Sequence, residues 1–258
     1  MNANPATVPT FALACGCFAA GAYCYPRRPR LSLVGGALLA LPCALAIFYY
    51  THLLDHAVWY FQIRTVPWIE LTFSGIGFLG GAVYRSVDAE TRMGRLAVPA
   101  VFTAIMLVPF MKPILEPLNV AALQDKCKGT VCLQSSGSTC GPASAATLLR
   151  GLGIGATERE LAVESYTYPG GTEAWYLARA IRRRGAEAEF IFSADTLPSP
   201  SIAGVRMGGG HFIAIERATP EAVTFVDPLT GESTATPAEL RARYRFTGFF
   251  LQVRPGRQ

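Results

Sequence analysis

Charged residues and histidines are scarce in this sequence. Only 16% of its 258 residues are charged, residues 1–26 carry no charged side chain, and there are three histidines in all. The sequence contains no zinc-type Cys/His spacing, no glycine-rich phosphate loop and no internal repeat. These absences argue against a zinc module, a nucleotide-binding fold and a nucleic-acid partner. We therefore expect neither a cofactor nor a metal.

The apolar residues, 51% of the chain, are concentrated in its first part. Long apolar runs recur up to about Leu115, and the chain turns into an ordinary mixture rich in Arg and Glu after Lys128. This shift predicts a membrane region over 1–115, a linker over 116–130 and a folded domain over 131–258.

About four membrane spans are predicted in the first region, since each apolar run approaches the roughly 20 residues that a crossing helix needs. The predicted spans are 8–25, 31–54, 65–84 and 96–115. Arginines cluster in two of the connecting loops, at Arg27, Arg28, Arg30, Arg85, Arg92 and Arg95. The positive-inside rule makes both loops cytoplasmic. The chain is then a multi-pass protein of the cytoplasmic membrane, in contact with lipid, and its C-terminal domain lies on the extracytoplasmic face. If the third predicted span does not cross the membrane, the C-terminal domain lies on the cytoplasmic side instead.

A short polar group lies near the outer end of the second predicted span. His52 and His56 have the i, i+4 spacing of a metal-binding pair, with Asp55 beside them. The alternative is a polar cap at the membrane interface, together with the aromatic residues 59–61. The interfacial interpretation is favoured.

The C-terminal half is organised around residues 133–153, LQSSGSTCGPASAATLLRGLG. Cys140 opens a predicted helix that Ser138 or Thr139 would cap. A cysteine at a helix N-terminus is favoured as a thiolate. Gln134, six residues earlier, is a candidate amide donor to an oxyanion.

Helices precede strands in the rest of this half. Thr157 and Glu160 have capping-box spacing, and Thr172 is the predicted cap of the helix in GGTEAWYLARAIRRRG. Strand patterns follow in AEAEFIF, SIAGVRM, HFIAIER, AVTFVDP and TGFFLQVR, with a helix around 238–244. This order predicts an α+β domain with leading helices and an antiparallel sheet.

His211 is the one histidine of this half, so it is the candidate base for Cys140. Its orienting partner is Asp195, Asp227 or a glutamate, because no asparagine follows Asn119. Asp227 ends the strand that a short turn makes antiparallel to the strand starting at His211. The hairpin therefore favours Asp227 as the neighbour of His211.

Cys127 and Cys132 bracket the short segment KGTV before the nucleophile segment. A disulfide between them is expected if the domain faces an oxidising compartment, and two free thiols are the alternative.

The segments QSSGSTCGPA, GGTEAWYLARAIRRRG and GGHFIAIE followed by TFVDP resemble the bacteriocin-processing (double-glycine leader) peptidase family. The resemblance covers about residues 130–253. It implies a papain-like cysteine peptidase fold with Cys140, His211 and Asp227 as triad and Gln134 as oxyanion residue. Thr139 stands where that family usually has aspartate.

The function expected from these features is that of a membrane-anchored cysteine endopeptidase acting on peptides or proteins, with a glycine-rich cleavage site as one candidate. Members of the family that mature exported peptides are often N-terminal domains of ATP-driven transporters, whereas here the peptidase segment follows the apolar region. The alternatives are a cell-wall peptide amidase or transpeptidase, a catalytically silent peptide-binding module and a small transporter.

Overall fold

The protein is described by a computed structural model that covers residues 4–48, 54, 57–87, 92–107, 110–192, 196–207 and 209–256. The chain divides into two compact units. The apolar unit comprises Ala3–Asp55 and Trp68–Leu115, and the α+β unit comprises Met1–Asn2, His56–Pro67 and Glu116–Gln258.

The α-helices are α1 (Thr7–Cys24), α2 (Pro29–Phe48), α3 (Val58–Arg64), α4 (Ile76–Ser86), α5 (Arg92–Leu107), α6 (Met111–Leu115), α7 (Cys140–Gly151), α8 (Glu158–Glu164), α9 (Ala174–Arg183) and α10 (Pro237–Arg243). The strands are β1 (Lys126–Lys128), β2 (Val131–Leu133), β3 (Ala186–Phe192), β4 (Ser201–Arg206), β5 (Gly210–Ala218), β6 (Val223–Asp227), β7 (Gly231–Ala235) and β8 (Arg245–Pro255). Two 3-10 helices cover Ile69–Gly75 and Val120–Ala122.

The apolar unit depends on close contact between α1 and α4. A Cβ atom on Gly81 would lie 1.9 Å from the Phe18 carbonyl oxygen, and one on Gly77 would lie 2.1 Å from the Ala14 carbonyl oxygen. Only glycine allows the two backbones to approach so closely. Such small-residue contacts are typical of helices that associate in lipid, where burial of apolar side chains supplies no driving force.

The prediction of about four spans is wrong in number. Among the described residues, one helix, Thr7–Cys24, is long and apolar enough to cross a membrane, or two if Val58–Arg64 and Ile69–Ser86 count as one bent span. Those two segments are bent by 95°. Pro67 disfavours helix in the residue before it, and Trp68 has a left-handed φ of 62°.

The second and fourth predicted spans contain shorter apolar helical segments, Pro29–Ala44 and Met93–Leu107, of 10–17 residues each. At a rise of 1.5 Å per residue, the 16 residues of α5 reach only about 24 Å, less than a bilayer core of about 30 Å. His52, Asp55 and His56, the metal alternative, lie outside the described residues.

The α+β unit contains the predicted leading helices and antiparallel sheet. Its six strands lie in the order β3-β8-β4-β5-β6-β7, and every neighbouring pair is antiparallel. Helix α7 packs against β5 and β2, and α9 packs against β3. The core between β4, β5, β6 and β8 contains fully buried aliphatic side chains such as Val205, Ile213 and Ile215.

Two local predictions for this unit differ in outcome. Thr157 and Glu160 form the expected capping box at α8. Thr172 does not cap α9, which begins at Ala174 after Glu173; its hydroxyl lies 2.7 Å from that of Thr167 instead. The edge strand β7 was not predicted from its sequence, GESTA, because it has no alternating apolar residues.

Helix α3 belongs to the α+β unit rather than to a membrane span. The Phe61 ring lies 5.3 Å from the rings of Phe190 and Phe192 and 6.0 Å from those of Trp175 and Phe249, centroid to centroid. The aromatic residues 59–61 therefore do not all form an interfacial cap, since Phe61 is only 7% exposed.

Arginines from α9 hold the C-terminal end of α3. Arg179 donates from Nε to the Arg64 carbonyl oxygen at 3.0 Å, and Arg182 donates from Nη2 to Gln62 Oε1 at 3.1 Å. Cationic donors stabilise the free carbonyls and the negative end of the dipole at a helix C-terminus.

Candidate active site

Cys140 is the first residue of α7 and is 8% exposed. The first turn of a helix leaves backbone N–H groups without intrahelical partners, so the thiol lies beside free donors and the positive end of the dipole. The predicted side-chain cap is absent. Thr139 is the N-cap residue, but its hydroxyl donates to the Glu158 carboxylate instead of binding the first turn. Ser138 Oγ donates to the Pro169 carbonyl oxygen.

His211 and Asp227 are brought together by the β5–β6 hairpin, as its antiparallel register predicts. Ala214 pairs with Val226, so the start of β5 lies opposite the end of β6. His211 Nε2 is 2.9 Å from Asp227 Oδ1, and the two side chains are 9% and 0% exposed. Asp195, the other candidate partner, lies outside the described residues.

The protonation of His211 reflects both neighbours. Burial lowers the pKa of its imidazole, but hydrogen bonds with Asp227 and with the Cys140 side chain raise it, and the net change is from 6.5 to about 9. Since Nε2 faces Asp227, Nδ1 is the nitrogen left for Cys140. The ring is therefore held between a carboxylate and the thiol, and it stays protonated at neutral pH.

Asp227 is held as a buried anion by three donors. Burial raises its pKa, yet hydrogen bonds from His211, the Leu229 backbone N–H and the Tyr244 hydroxyl lower it to about 2. Leu229 N is 2.9 Å from Oδ1, and the Tyr244 hydroxyl donates to Oδ2 at 2.7 Å. Tyr244 was not identified from the sequence, where it looks like the last residue of a predicted helix.

Gln134 lies directly after β2, next to the turn that follows Asp227. Its backbone N–H donates to the Pro228 carbonyl oxygen at 2.9 Å. Its side-chain Nε2 donates to the Ser136 carbonyl oxygen at 2.8 Å, which leaves the second amide hydrogen unassigned. The side chain is thus turned back over the segment that leads to Cys140.

Glu158, the first residue of α8, is a second group that the sequence did not reveal. It is fully buried and accepts hydrogen bonds from Ser135 N at 2.7 Å, Ser135 Oγ at 2.6 Å and Thr139 Oγ1. Acids in the first turn of a helix are commonly exposed, so its position gave no sign of burial. Ser135 and Thr139 are the neighbours of Gln134 and Cys140 in the chain.

Cys127 and Cys132 face each other across the β1–β2 hairpin and are joined by a disulfide. Cys140 is a free thiol. Among the described residues, no group of three or more His, Cys, Asp or Glu side chains has the arrangement of a metal site.

A leading helix that begins at a cysteine, and a following antiparallel sheet whose hairpin pairs a histidine with an aspartate, define the papain-like class of cysteine peptidase. Residues 128–258 match the Peptidase C39 family, and the chain belongs to that family. It is a cysteine peptidase, a hydrolase of peptide bonds. The predicted family and enzyme class are confirmed.

Two curated relatives are uncharacterized archaeal proteins. The protein from Methanothermobacter marburgensis is 36% identical over 100 residues, which are 38% of this chain and 70% of the relative. The protein from Methanothermobacter thermautotrophicus is 34% identical over 125 residues, which are 48% of this chain and 87% of the relative.

Solved structures similar to the chain include two peptidase domains. One is a double glycine motif protease from an AMS/PCAT transporter in complex with the leader peptide, with 23% identity, a TM-score of 0.42 and coverage of 48% of this chain and 90% of that one. The other is the peptidase domain of Streptococcus ComA, a bi-functional ABC transporter. It has 22% identity and a TM-score of 0.41, and the match covers 48% of this chain and 96% of that one.

Proposed function

We propose that the protein is a membrane-anchored endopeptidase in which Cys140, His211 and Asp227 act as catalytic triad and Gln134 as oxyanion residue. The observation that carries the proposal is the buried 2.9 Å contact between His211 Nε2 and Asp227 Oδ1. The Cys140 side chain is hydrogen-bonded to the same imidazole ring. Asp227 fixes the tautomer of the ring, so that Nδ1 serves the sulfur.

The reaction begins with attack of the Cys140 thiolate on the carbonyl carbon of the scissile bond. The carbonyl electron pair moves to oxygen, and the Gln134 side-chain amide and the Cys140 backbone N–H stabilise that oxyanion. Collapse of the intermediate breaks the C–N bond, and the His211 imidazolium gives its proton to the leaving amine. Water then attacks the thioester while His211 takes its proton, which releases the acid product and restores the thiolate.

The apolar unit is the proposed membrane anchor in a multi-pass arrangement. Its helices expose large aliphatic side chains such as Leu31 at 60%, Val34 at 60% and Leu38 at 63%. Burying these groups in lipid is favourable at about 25 cal/mol per Å². Because the chain runs from α3, in the α+β unit, directly into the apolar unit, the peptidase is covalently tethered to the proposed anchor.

The extracytoplasmic face is the proposed side for the α+β unit. Arg27 and Arg28, between α1 and α2, and Arg30, in the first turn of α2, favour a cytoplasmic position for that loop. The α+β unit then lies outside if an odd number of crossings follows the loop. The Cys127–Cys132 disulfide also favours this side, because such bonds persist in oxidising compartments.

The side is tested with a cysteine introduced at Glu221, an exposed residue, in the Cys140→Ser chain. We expect a membrane-impermeant maleimide to label it in intact cells as strongly as in permeabilised ones. Labelling only after permeabilisation would place the unit inside. A cysteine introduced at Arg28 is the control, with the opposite pattern expected.

The activity is tested on the purified full chain in lipid nanodiscs. We expect cleavage of fluorogenic peptides, with glycine-rich sites preferred, and loss of cleavage in Cys140→Ala. A Glu221→Gln variant, changed far from Cys140 in sequence and on an exposed turn, serves as the matched control with unchanged turnover. Turnover that survives in Cys140→Ala would refute the triad. Release of peptides from cell-wall fragments, without cleavage of the linear peptides, would favour the amidase alternative.

A further inference from the structure

Glu158 bridges the two ends of the segment that carries the proposed oxyanion donors. Its Oε1 accepts from Ser135 N at 2.7 Å and from Thr139 Oγ1, and its Oε2 accepts from Ser135 Oγ at 2.6 Å. Ser135 Oγ itself accepts from Gln124 N at 3.1 Å, so its hydrogen is free for the carboxylate. Both oxygens of Glu158 are therefore occupied by neutral donors.

The bridged segment is also closed on itself. Gln134 Nε2 donates to the Ser136 carbonyl oxygen at 2.8 Å, and Ser136 N donates to Thr139 Oγ1 at 3.3 Å. Ser135 immediately follows Gln134, and Thr139 immediately precedes Cys140. The contacts of Glu158 therefore restrain the residues beside the two donors, and with them the distance between those donors.

Burial of a carboxylate has a free-energy cost that an apolar side chain of similar size would avoid. Glu158 is fully buried, and no Lys or Arg of the described part of the chain forms an ion pair with it. The hydrogen bonds offset that cost only if they are all made, so the segment is held in one conformation. Oxyanion stabilisation requires such preorganisation, since donors must lie about 2.7–3.1 Å from the developing charge.

We propose that Glu158 is a positioning residue for the oxyanion hole, acting through Ser135 on Gln134 and through Thr139 on the Cys140 backbone N–H. The inference rests on the proposed function. Loss of Glu158 should weaken binding of the transition state. It should leave both the binding of the substrate and the nucleophilicity of Cys140 nearly unchanged.

The test compares Glu158→Gln with wild type in the full chain in nanodiscs. We expect kcat to fall by about 10–100-fold, less than the ~10²–10³-fold typical for loss of a whole oxyanion donor, with KM changed less than about threefold. Affinity for a peptide aldehyde, whose thiohemiacetal carries the oxyanion, should fall by a similar factor. The rate of Cys140 alkylation by iodoacetamide, which forms no oxyanion, should change less than about twofold.

A double-mutant cycle separates positioning from general damage. In the Gln134→Ala background, Glu158→Gln should cause less loss of kcat than it does alone, because part of its effect is exerted through Gln134. Full additivity, or a fall in alkylation that matches the fall in kcat, would overturn the proposal. Glu160→Gln is the matched control: its carboxylate lies on the same turn of α8 and is 51% exposed, so kcat should be retained.

Milder variants keep the proposal testable if Glu158→Gln does not fold. Thr139→Val removes one hydroxyl donor and should lower kcat and aldehyde affinity together, whereas Thr139→Ser keeps that donor and should restore both. Equal kcat in the two variants would contradict the proposal. Failure of the proposed function is seen separately, as turnover that persists in Cys140→Ala.

Discussion

Replacing Asp227 by asparagine should move the alkaline limit of catalysis towards neutral pH. In the wild type, burial lowers the pKa of His211 while its hydrogen bonds with Asp227 and Cys140 raise it, to about 9 from 6.5. Without the carboxylate, burial opposes only the contact with Cys140, so the pKa should fall by about two pH units. Such a shift corresponds to about 2.7 kcal/mol of lost preference for the imidazolium.

The assay is kcat/KM for a fluorogenic peptide between about pH 5 and pH 10, which reports the groups of the free enzyme. The alkaline limb of the wild type should lie near the pKa of about 9, because the imidazolium must supply the proton to the leaving amine. In Asp227→Asn the limb should lie near neutrality. An unchanged limb in the variant would refute the assignment of Asp227 as the group that raises the pKa of His211.

Tyr244→Phe is the matched control for this prediction. It removes the hydroxyl that donates to Asp227 Oδ2 at 2.7 Å but leaves the carboxylate and its contact with His211. The pKa of Asp227 should rise, yet the residue stays ionised across the assay range. The alkaline limb should therefore stay within about half a pH unit of the wild-type position, because the charge beside His211 is retained.

The same pair makes stability depend on pH, with a defined sign. The raised pKa of His211 contributes stability that is complete below pH 6.5 and is lost as the pH rises through about 9. The lowered pKa of Asp227 contributes stability above pH 3.8 that is lost as the pH falls towards about 2. Both contributions come from the contact between His211 and Asp227. In Asp227→Asn, the melting temperature should therefore depend less on pH, in the acidic range and in the alkaline range.

Three further predictions concern other parts of the α+β unit. Gln134→Ala should lower kcat by ~10²–10³-fold with little change in KM, measured with the same peptide; a change confined to KM would contradict an oxyanion role. Phe61→Ala should destabilise the unit by about 3–5 kcal/mol in thermal unfolding, because the ring is buried among five aromatic rings. Ile63→Ala, at a residue 44% exposed on the same helix, should have a small effect. Thr157→Ala should cost about 1 kcal/mol through loss of the α8 capping box, without a change in kcat.

Local patterns made much of the α+β unit predictable. Alternating apolar residues identify β3, β5 and β6, because each of these strands buries at least one face. A short turn between β5 and β6 then fixes their pairing and brings His211 to Asp227. Strand β7 has no such pattern, since it is a polar edge strand that pairs only with β6.

Side-chain partners that are distant in sequence were not predictable. The Tyr244 hydroxyl reaches Asp227 across 17 residues, and Glu158 reaches Ser135 across 23. Nothing in the residues around Glu158 distinguishes a buried carboxylate from the exposed acid expected in the first turn of a helix. Apolar composition likewise predicted spans without revealing the break before Trp68, which separates α3 from the apolar unit.

The cysteines of the α+β unit connect its chemistry with its proposed location. Cys140 is the one free thiol among the described residues of that unit, because Cys127 and Cys132 are paired. On an oxidising face, two further free thiols in the same unit would be candidates for disulfide formation with Cys140. Pairing of Cys127 with Cys132 removes both candidates, so Cys140, a residue 8% exposed and hydrogen-bonded to His211, remains available as the proposed nucleophile. We therefore expect the hairpin disulfide, besides joining β1 to β2, to make the proposed extracytoplasmic position compatible with the proposed cysteine nucleophile.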